Sequence, residues 1–179
     1  MKSSIATSLV LLFGAINALP QPELEKRDDP DMVPVTLDQF PTTTFTCGTQ
    51  QYSNHDVYLA AQYGVLLEET DPPQGRGKKS AQYPNGRFPH AFTQNKNGVS
   101  LGFLPGCPDN DDIRAEYPLV TSGPYNGGLN NNKWGQDRVV YTHEAGEVDN
   151  DGHPQATFCG VMTHTGASEA GAFVLCTSP

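Results

Sequence analysis

Four ionisable side chains stand inside otherwise apolar runs of the chain: His90 in FPHAF, Glu116 in AEYPLV, Arg138 in DRVVYT and His164 in VMTHTGA. A polar group in such a run is costly to bury unless it is paired or put to use. Each run is short and separated from the next by turn residues, the pattern of a strand. Alternate side chains of a strand face the same side. Four such residues on neighbouring strands can therefore meet on one sheet face. One carboxylate, one guanidinium and two imidazoles in one place suit cleavage of RNA without a metal. In that reaction the ribose 2′-oxygen loses a proton, a phosphorane forms, and the departing 5′-oxygen gains a proton. A carboxylate, Glu116, can take the first proton and an imidazolium can give the last. Arg138 and the second imidazolium can hold the charged phosphorane. His164, near the end of the strand-like run in FCGVMTHTGAS, is expected to be the general acid.

Other chemistries fit less well. No CxxC pair occurs and the Cys–His spacing is not that of a zinc site, so neither a metal nor a cofactor is expected. Gly166 to Ala170 (GASEA) has a slight likeness to a nucleophile elbow, but no histidine follows Ser168 to complete a triad. The loop from His143 to His153 carries Glu144, Glu147, Asp149 and Asp151 without EF-hand spacing, and is expected to be a solvated acidic loop. The whole chain carries 11 basic and 20 acidic side chains, a net charge of −9. Such a chain has no long-range attraction for nucleic acid, so RNA has to be handled by a local site.

The elements that would position these groups follow from pattern and punctuation. Lys2 precedes an apolar stretch from Ile5 to Leu19 that is too short to span a bilayer. Residues 1–19 are therefore expected to be a secretory signal peptide, and 20–27 a propeptide ending in the dibasic Lys26-Arg27. Loss of Lys2, Lys26 and Arg27 against Glu23 and Glu25 would bring the remainder to −10. Residues 28–179 suffice for one domain with one core. No Asn-x-Ser/Thr sequon occurs. Four cysteines in a secreted chain imply two disulfides, with three possible connectivities. Residues 28–43, rich in Pro, Asp and Thr, read as an extended arm before a domain over 44–179. A helix is expected from Tyr52 to Glu69, capped by Ser53 with Asp56 three residues on. Val57, Ala60, Ala61, Gly64 and Leu67 form its apolar face. Asp71 to Arg87 reads as a loop. VSLGF and AFVLC add two more strand-like runs, and GGLNNNKWGQ is expected to be a surface loop. One helix followed by several short strands gives an α+β fold: an N-terminal helix packed on an antiparallel sheet.

The runs FPHAF, AEYPLV, DRVVYT and FCGVMTHTGAS, ending in FVLCT, resemble the fungal guanyl-specific extracellular ribonucleases of the ribonuclease T-one type. The resemblance spans Cys47 to Thr177 and rests on the spaced set rather than on any single motif. It implies Glu116 as general base, His164 as general acid, and His90 with Arg138 as transition-state stabilisers. It places Phe173 beside the phosphate, and Phe88, Phe92, Asn95 and Asn97 among substrate-binding positions. It also implies a secreted monomer that cuts single-stranded RNA to 2′,3′-cyclic phosphates, with no metal and no membrane. Two positions depart from the family. Phe88 stands where the family has a tyrosine that touches the phosphate. The loop AFTQNKNG has one extra residue and places Asn97 where the family has a glutamate that accepts from guanine. An amide offers an oxygen without charge, so a guanine or broader purine preference is expected. Loop length and the cysteine in FCG also resemble the sarcin-like ribotoxins, which implies Cys47–Cys176 and Cys107–Cys159 bridges. Ribotoxins are strongly basic, and an acidic chain lacks that equipment. The alternative is a catalytically weak, RNase-like secreted effector that binds RNA or a host protein. The presence of both Glu116 and His164 favours the enzyme.

Overall fold

The structure, a computed structural model, describes residues 31–70, 73–76, 81, 86–92, 95–107, 114–121, 123–127 and 134–179. The expected signal peptide, the dibasic site and the first residues of the arm lie outside the described residues, as do parts of the 71–87 loop and of GGLNNNKWGQ.

The single helix among the described residues, α1 (Asn54–Glu69), begins as its sequence demands. The Ser53 hydroxyl accepts from the Asp56 amide at 3.2 Å, and the Asp56 carboxylate accepts from the Ser53 amide at 2.9 Å. Two of the helix's orphan donors are thereby satisfied. The expected apolar face is buried, but so are Gln62, Tyr63, Val65 and Leu66. Tyr63 packs against Tyr117 and the Arg76 guanidinium, and the arm reaches the helix at Gln62 and Tyr58. Gln62 donates to the Val33 carbonyl at 2.6 Å and the Tyr58 hydroxyl donates to the Val35 carbonyl at 3.1 Å. On the inner side Gly64 lets helix and sheet close up. A Cβ there would lie 2.6 Å from the Tyr141 hydroxyl and 3.2 Å from Tyr117 Cβ.

The strands are β1 (Thr36–Asp38), β2 (Phe45–Cys47), β3 (Gln50–Tyr52), β4 (His90–Ala91), β5 (Arg114–Leu119), β6 (Asp137–Thr142), β7 (Gln155–Thr163) and β8 (Val174–Leu175). β2 and β3 form a small hairpin. The main sheet runs β1-β7-β6-β5-β4, with β8 also on β7. All its pairs are antiparallel except β1 with β7, so the end of the arm adds one parallel edge strand to the expected antiparallel sheet. VSLGF is not a strand. Gly102 takes φ +63°, outside the strand region, and Leu101 and Phe103 pack as loop side chains instead.

A bulge in β7 decides which side chains reach which face. Val140 pairs with Gly160 but Tyr141 pairs with Phe158, leaving Cys159 as the extra residue. Phe158 and Val161, three apart, both enter the core under α1, which strict alternation forbids. Cys159 turns to the opposite face and joins Cys107. The larger core lies between α1 and the sheet. A smaller cluster on the other face holds Phe92, Cys107, Val140, Cys159, Met162 and Phe173.

Cys47–Cys176 and Cys107–Cys159 are bonded and no cysteine is free, the pairing that the ribotoxin resemblance implies. They join residues 129 and 52 apart in sequence. On a chain-entropy argument each contributes about 4–5 kcal/mol. Two bridges and no thiol fit an oxidising compartment. No helix among the described residues is long and apolar enough to cross a membrane.

The acidic loop after β6 is organised from within. The Asp149 carboxylate accepts from the Thr36 hydroxyl at 2.5 Å and from the Asp151 and His153 amides, tying β1 to this loop. These bonds, the Thr36 one foremost, hold its pKa down at about 2. His143 donates from Nδ1 to the Gln155 carbonyl at 2.8 Å and contacts Glu69 through Nε2 at 2.7 Å, fastening the helix end to the sheet.

Glu68 yields a test of this packing. The residue keeps some exposure, yet its carboxyl sits against the buried Tyr141. Burial pushes it up to about 8; the Tyr141 hydroxyl offsets part of that rise and the neighbouring Glu69 adds a smaller push upward. The folded chain therefore holds this proton where the unfolded chain releases it. Stability should fall as pH rises from the unfolded value of 4.5 through about 8. Glu68→Gln should raise Tm at pH 8 and leave it nearly unchanged at pH 4, read by thermal melts at both. A variant that melts lower at pH 8 would show that the carboxylate, not its protonated form, supports the fold.

Candidate active site

The sheet face turned away from α1 carries the ionisable residues in rows set by strand register. His90 on β4 lies opposite Glu116 on β5, which lies opposite Val140 on β6. The next row holds Pro118, Arg138 and Met162. His164 follows the last residue of β7, its amide donating to the Gln136 carbonyl at 3.0 Å, beside Arg138's row. Short, strongly paired strands place all four side chains to within one sheet face, as alternation predicts.

Glu116 is 4% exposed and Arg138 2% exposed. Glu116 Oε1 meets His90 Nε2 at 2.7 Å, and His90 Nδ1 donates to the Ala91 carbonyl at 3.0 Å. A carbonyl only accepts, so Nδ1 carries a proton. With a carboxylate on the other nitrogen, the ring is satisfied as the imidazolium. Arg138 Nη1 donates to the carbonyls of Trp134, Gly135 and Asp137 at 3.0, 3.2 and 2.7 Å. Burial lowers its pKa, while Glu116 acts to raise it. Two buried polar atoms of this pair have no partner among the described residues: Glu116 Oε2 and Arg138 Nε. Such orphans are rare and call for an explanation.

His164 is fixed from two sides. Nδ1 donates to the Ala172 carbonyl at 2.7 Å, and the ring stacks on Phe173 with centroids 3.7 Å apart. That leaves Nε2 as the nitrogen able to release a proton. Phe173 is held in turn by Asn95, whose amide donates to its carbonyl and accepts from its N–H, both at 2.9 Å. Asn95, expected to touch substrate, is thus buried and has both ends of its amide on the Phe173 backbone. It ties the 95–98 loop to the platform under His164. Lys96 adds a bond to the Ala170 carbonyl at 2.9 Å.

The remaining expected substrate contacts are aromatic or amide. Phe88 is wholly buried, stacks on His90 at 5.1 Å and lies 4.9 Å from the Arg138 guanidinium carbon. It packs against His90 and Arg138 rather than facing solvent. Phe92 packs edge-on against Phe103 and Phe173. The half-buried Asn97 uses Oδ1 to accept from the Val99 amide at 3.0 Å, a local turn bond.

Several supporting residues are not among those expected from the sequence. Arg114, two residues before Glu116 on the same face, is buried between Phe92 and Phe103 and donates to the Phe92 carbonyl at 2.8 Å. Tyr52 donates to Asp137 at 2.7 Å behind the sheet, next to Arg138. Trp134 and Tyr125 flank Phe88. Only the buried cation two residues from Glu116 stood out by pattern, as a charge inside a strand.

A family model described as ribonuclease matches residues 40–177, which contain every residue of this site. Guanyl-specific ribonuclease U1 of Ustilago sphaerogena is 42% identical over 91 residues, 50% of this chain and 68% of that protein. Guanyl-specific ribonuclease T1 of Aspergillus oryzae is 32% identical over 134 residues, 74% of this chain and 78% of that protein. A match over this span, on a fold that gathers the four ionisable residues on one face, means that the chain belongs to the ribonuclease family and is itself a ribonuclease.

Proposed function

We propose that the protein is a secreted endoribonuclease that cleaves single-stranded RNA by metal-free transphosphorylation to 2′,3′-cyclic phosphates. The observation that supports this most is the pair of buried, unpartnered atoms, Glu116 Oε2 and Arg138 Nε, on the sheet face that also carries His90, in contact with Glu116, and His164. An acceptor and a cationic donor in successive rows of one sheet face suit a 2′-hydroxyl and a phosphate oxygen. Glu116 takes the 2′-proton. Arg138 and the His90 imidazolium hold the charge that builds on the phosphorane. His164 gives its Nε2 proton to the departing 5′-oxygen, with Phe173 fixing the ring. Asn95 acts here as a positioning residue through Phe173. Phe88 supports His90 and Arg138 from behind. The relatives are named for guanine, but Asn97 offers only a neutral amide oxygen that already serves Val99. Guanine preference is therefore relaxed toward purines.

The test is cleavage of purified RNA by the mature protein in excess EDTA, with products identified and GpN compared with ApN dinucleotides. Activity should persist, cyclic phosphates should accumulate, and DNA should stay intact for want of a 2′-hydroxyl. GpN should be cut faster than ApN by a modest factor. Chelator-sensitive activity or degradation of DNA would exclude this mechanism.

A further inference from the structure

Arg87 stands beside the site but belongs to none of the roles above. It is exposed, and among the described residues no carboxylate pairs with it. Its guanidinium carbon lies 5.0 Å from the centre of the Trp134 ring and 5.5 Å from that of Phe88. Phe88 also bears the Arg138 guanidinium, so two cations share one aromatic neighbour. Arg87 is among the charges that lower the Arg138 pKa. Like charges gathered this closely, in a chain of net charge −9, are costly unless an anion comes to them. The platform is itself anchored. The Trp134 carbonyl accepts from Arg138 at 3.0 Å, and its ring tilts against Phe88 at 6.1 Å. An aromatic face restrains a guanidinium flat and leaves its N–H edge open to a phosphate. The scissile phosphate is assigned above to Arg138 and His90, so Arg87 remains for another anionic group.

We infer that Arg87, held on Trp134, binds the phosphate of a nucleotide adjacent to the cleaved linkage, forming an accessory subsite for single-stranded RNA. This rests on the RNA-cleaving function proposed above. The pair preorganises one donor fork, which spares part of the ordering cost of binding. Trp134 is the positioning residue and Arg87 makes the contact. A dinucleoside monophosphate has a single phosphate and cannot use the subsite; a tetranucleotide can.

The experiment compares kcat/KM on a GpN dinucleotide and on a tetranucleotide containing the same linkage. Arg87→Gln should lower the tetranucleotide value roughly fivefold more than the dinucleotide value, mainly through KM, the size expected of one exposed charge-assisted contact. The salt slope of log kcat/KM on the tetranucleotide should shrink by about 0.7, one phosphate contact to a single strand. Trp134→Leu should reproduce the loss and Trp134→Phe should restore part of it. Equal losses on both substrates, or an unchanged salt slope, would overturn the subsite. If the wild type cleaves no RNA, the proposed function fails and the subsite is judged by binding. Trp134 is the only tryptophan in the chain, so its fluorescence reports a titration with an uncleavable deoxytetranucleotide. Saturable quenching weakened about fivefold in Arg87→Gln supports the subsite; no quenching, or equal affinity in both proteins, overturns it.

Discussion

Glu116→Gln should lower transphosphorylation of a dinucleotide by about 10²–10⁴-fold, the usual worth of a positioned general base. The substitution is nearly isosteric. A glutamine oxygen can still accept from His90 Nε2 where Glu116 Oε1 now does at 2.7 Å, so the β4–β5 contact survives. The loss falls on Oε2, which is buried without a partner and takes the 2′-proton in the proposed mechanism. The rival arrangement makes His90 the base, with Glu116 only orienting it. His90 opposes that role because both ring nitrogens face acceptors, which leaves no lone pair for a proton. The two arrangements separate in the pH profile of kcat/KM. With Glu116 as base, the acid limb should vanish in the glutamine variant. Activity within tenfold of wild type, with the acid limb intact, would move the role to His90.

What the sequence made legible was local. The capping box of Ser53 and Asp56, and the face from Val57 to Leu67, are set by neighbours three and four residues away, and both stand in the structure. The strands with His90, Glu116, Arg138 and His164 were legible because an ionisable residue in an apolar run is expensive wherever it lies. What stayed hidden depends on distant partners. The arm becomes parallel strand β1 only because the outer edge of β7 is free beside β8. The bulge at Cys159 is a register event between two strands, invisible in either strand alone. VSLGF has the composition of a strand, yet one glycine at φ +63° removes it from the sheet. Asn95 stood among the expected substrate-binding positions, in the loop after His90. Its amide instead completes the backbone of Phe173, 78 residues away. The residues that gather on one face were thus readable before their supports were.

His164→Gln should cost as much as Glu116→Gln on a dinucleotide, about 10²–10⁴-fold, but for the opposite end of the reaction. The departing 5′-oxygen of a nucleoside is a poor leaving group and needs a proton as the bond breaks. In the proposed mechanism His164 gives it. Nδ1 is committed to the Ala172 carbonyl at 2.7 Å, the ring is stacked on Phe173 at 3.7 Å, and only Nε2 remains to release a proton. Glutamine keeps a donor of similar reach but cannot act as an acid near neutral pH. The loss should therefore shrink to within tenfold on a guanosine 3′-(4-nitrophenyl phosphate), whose phenolate leaves without protonation. Glu116→Gln should lose activity on both substrates, since the 2′-oxygen must be deprotonated in either case. The measurement is the ratio of kcat/KM on the two substrates for wild type and both variants. Asn95→Ala should shift that ratio in the direction of His164→Gln by a smaller factor, because it frees the Phe173 backbone that seats the imidazole. Equal losses for His164→Gln on both leaving groups would make His164 a binding residue, and the source of the last proton would have to be sought elsewhere on the same face.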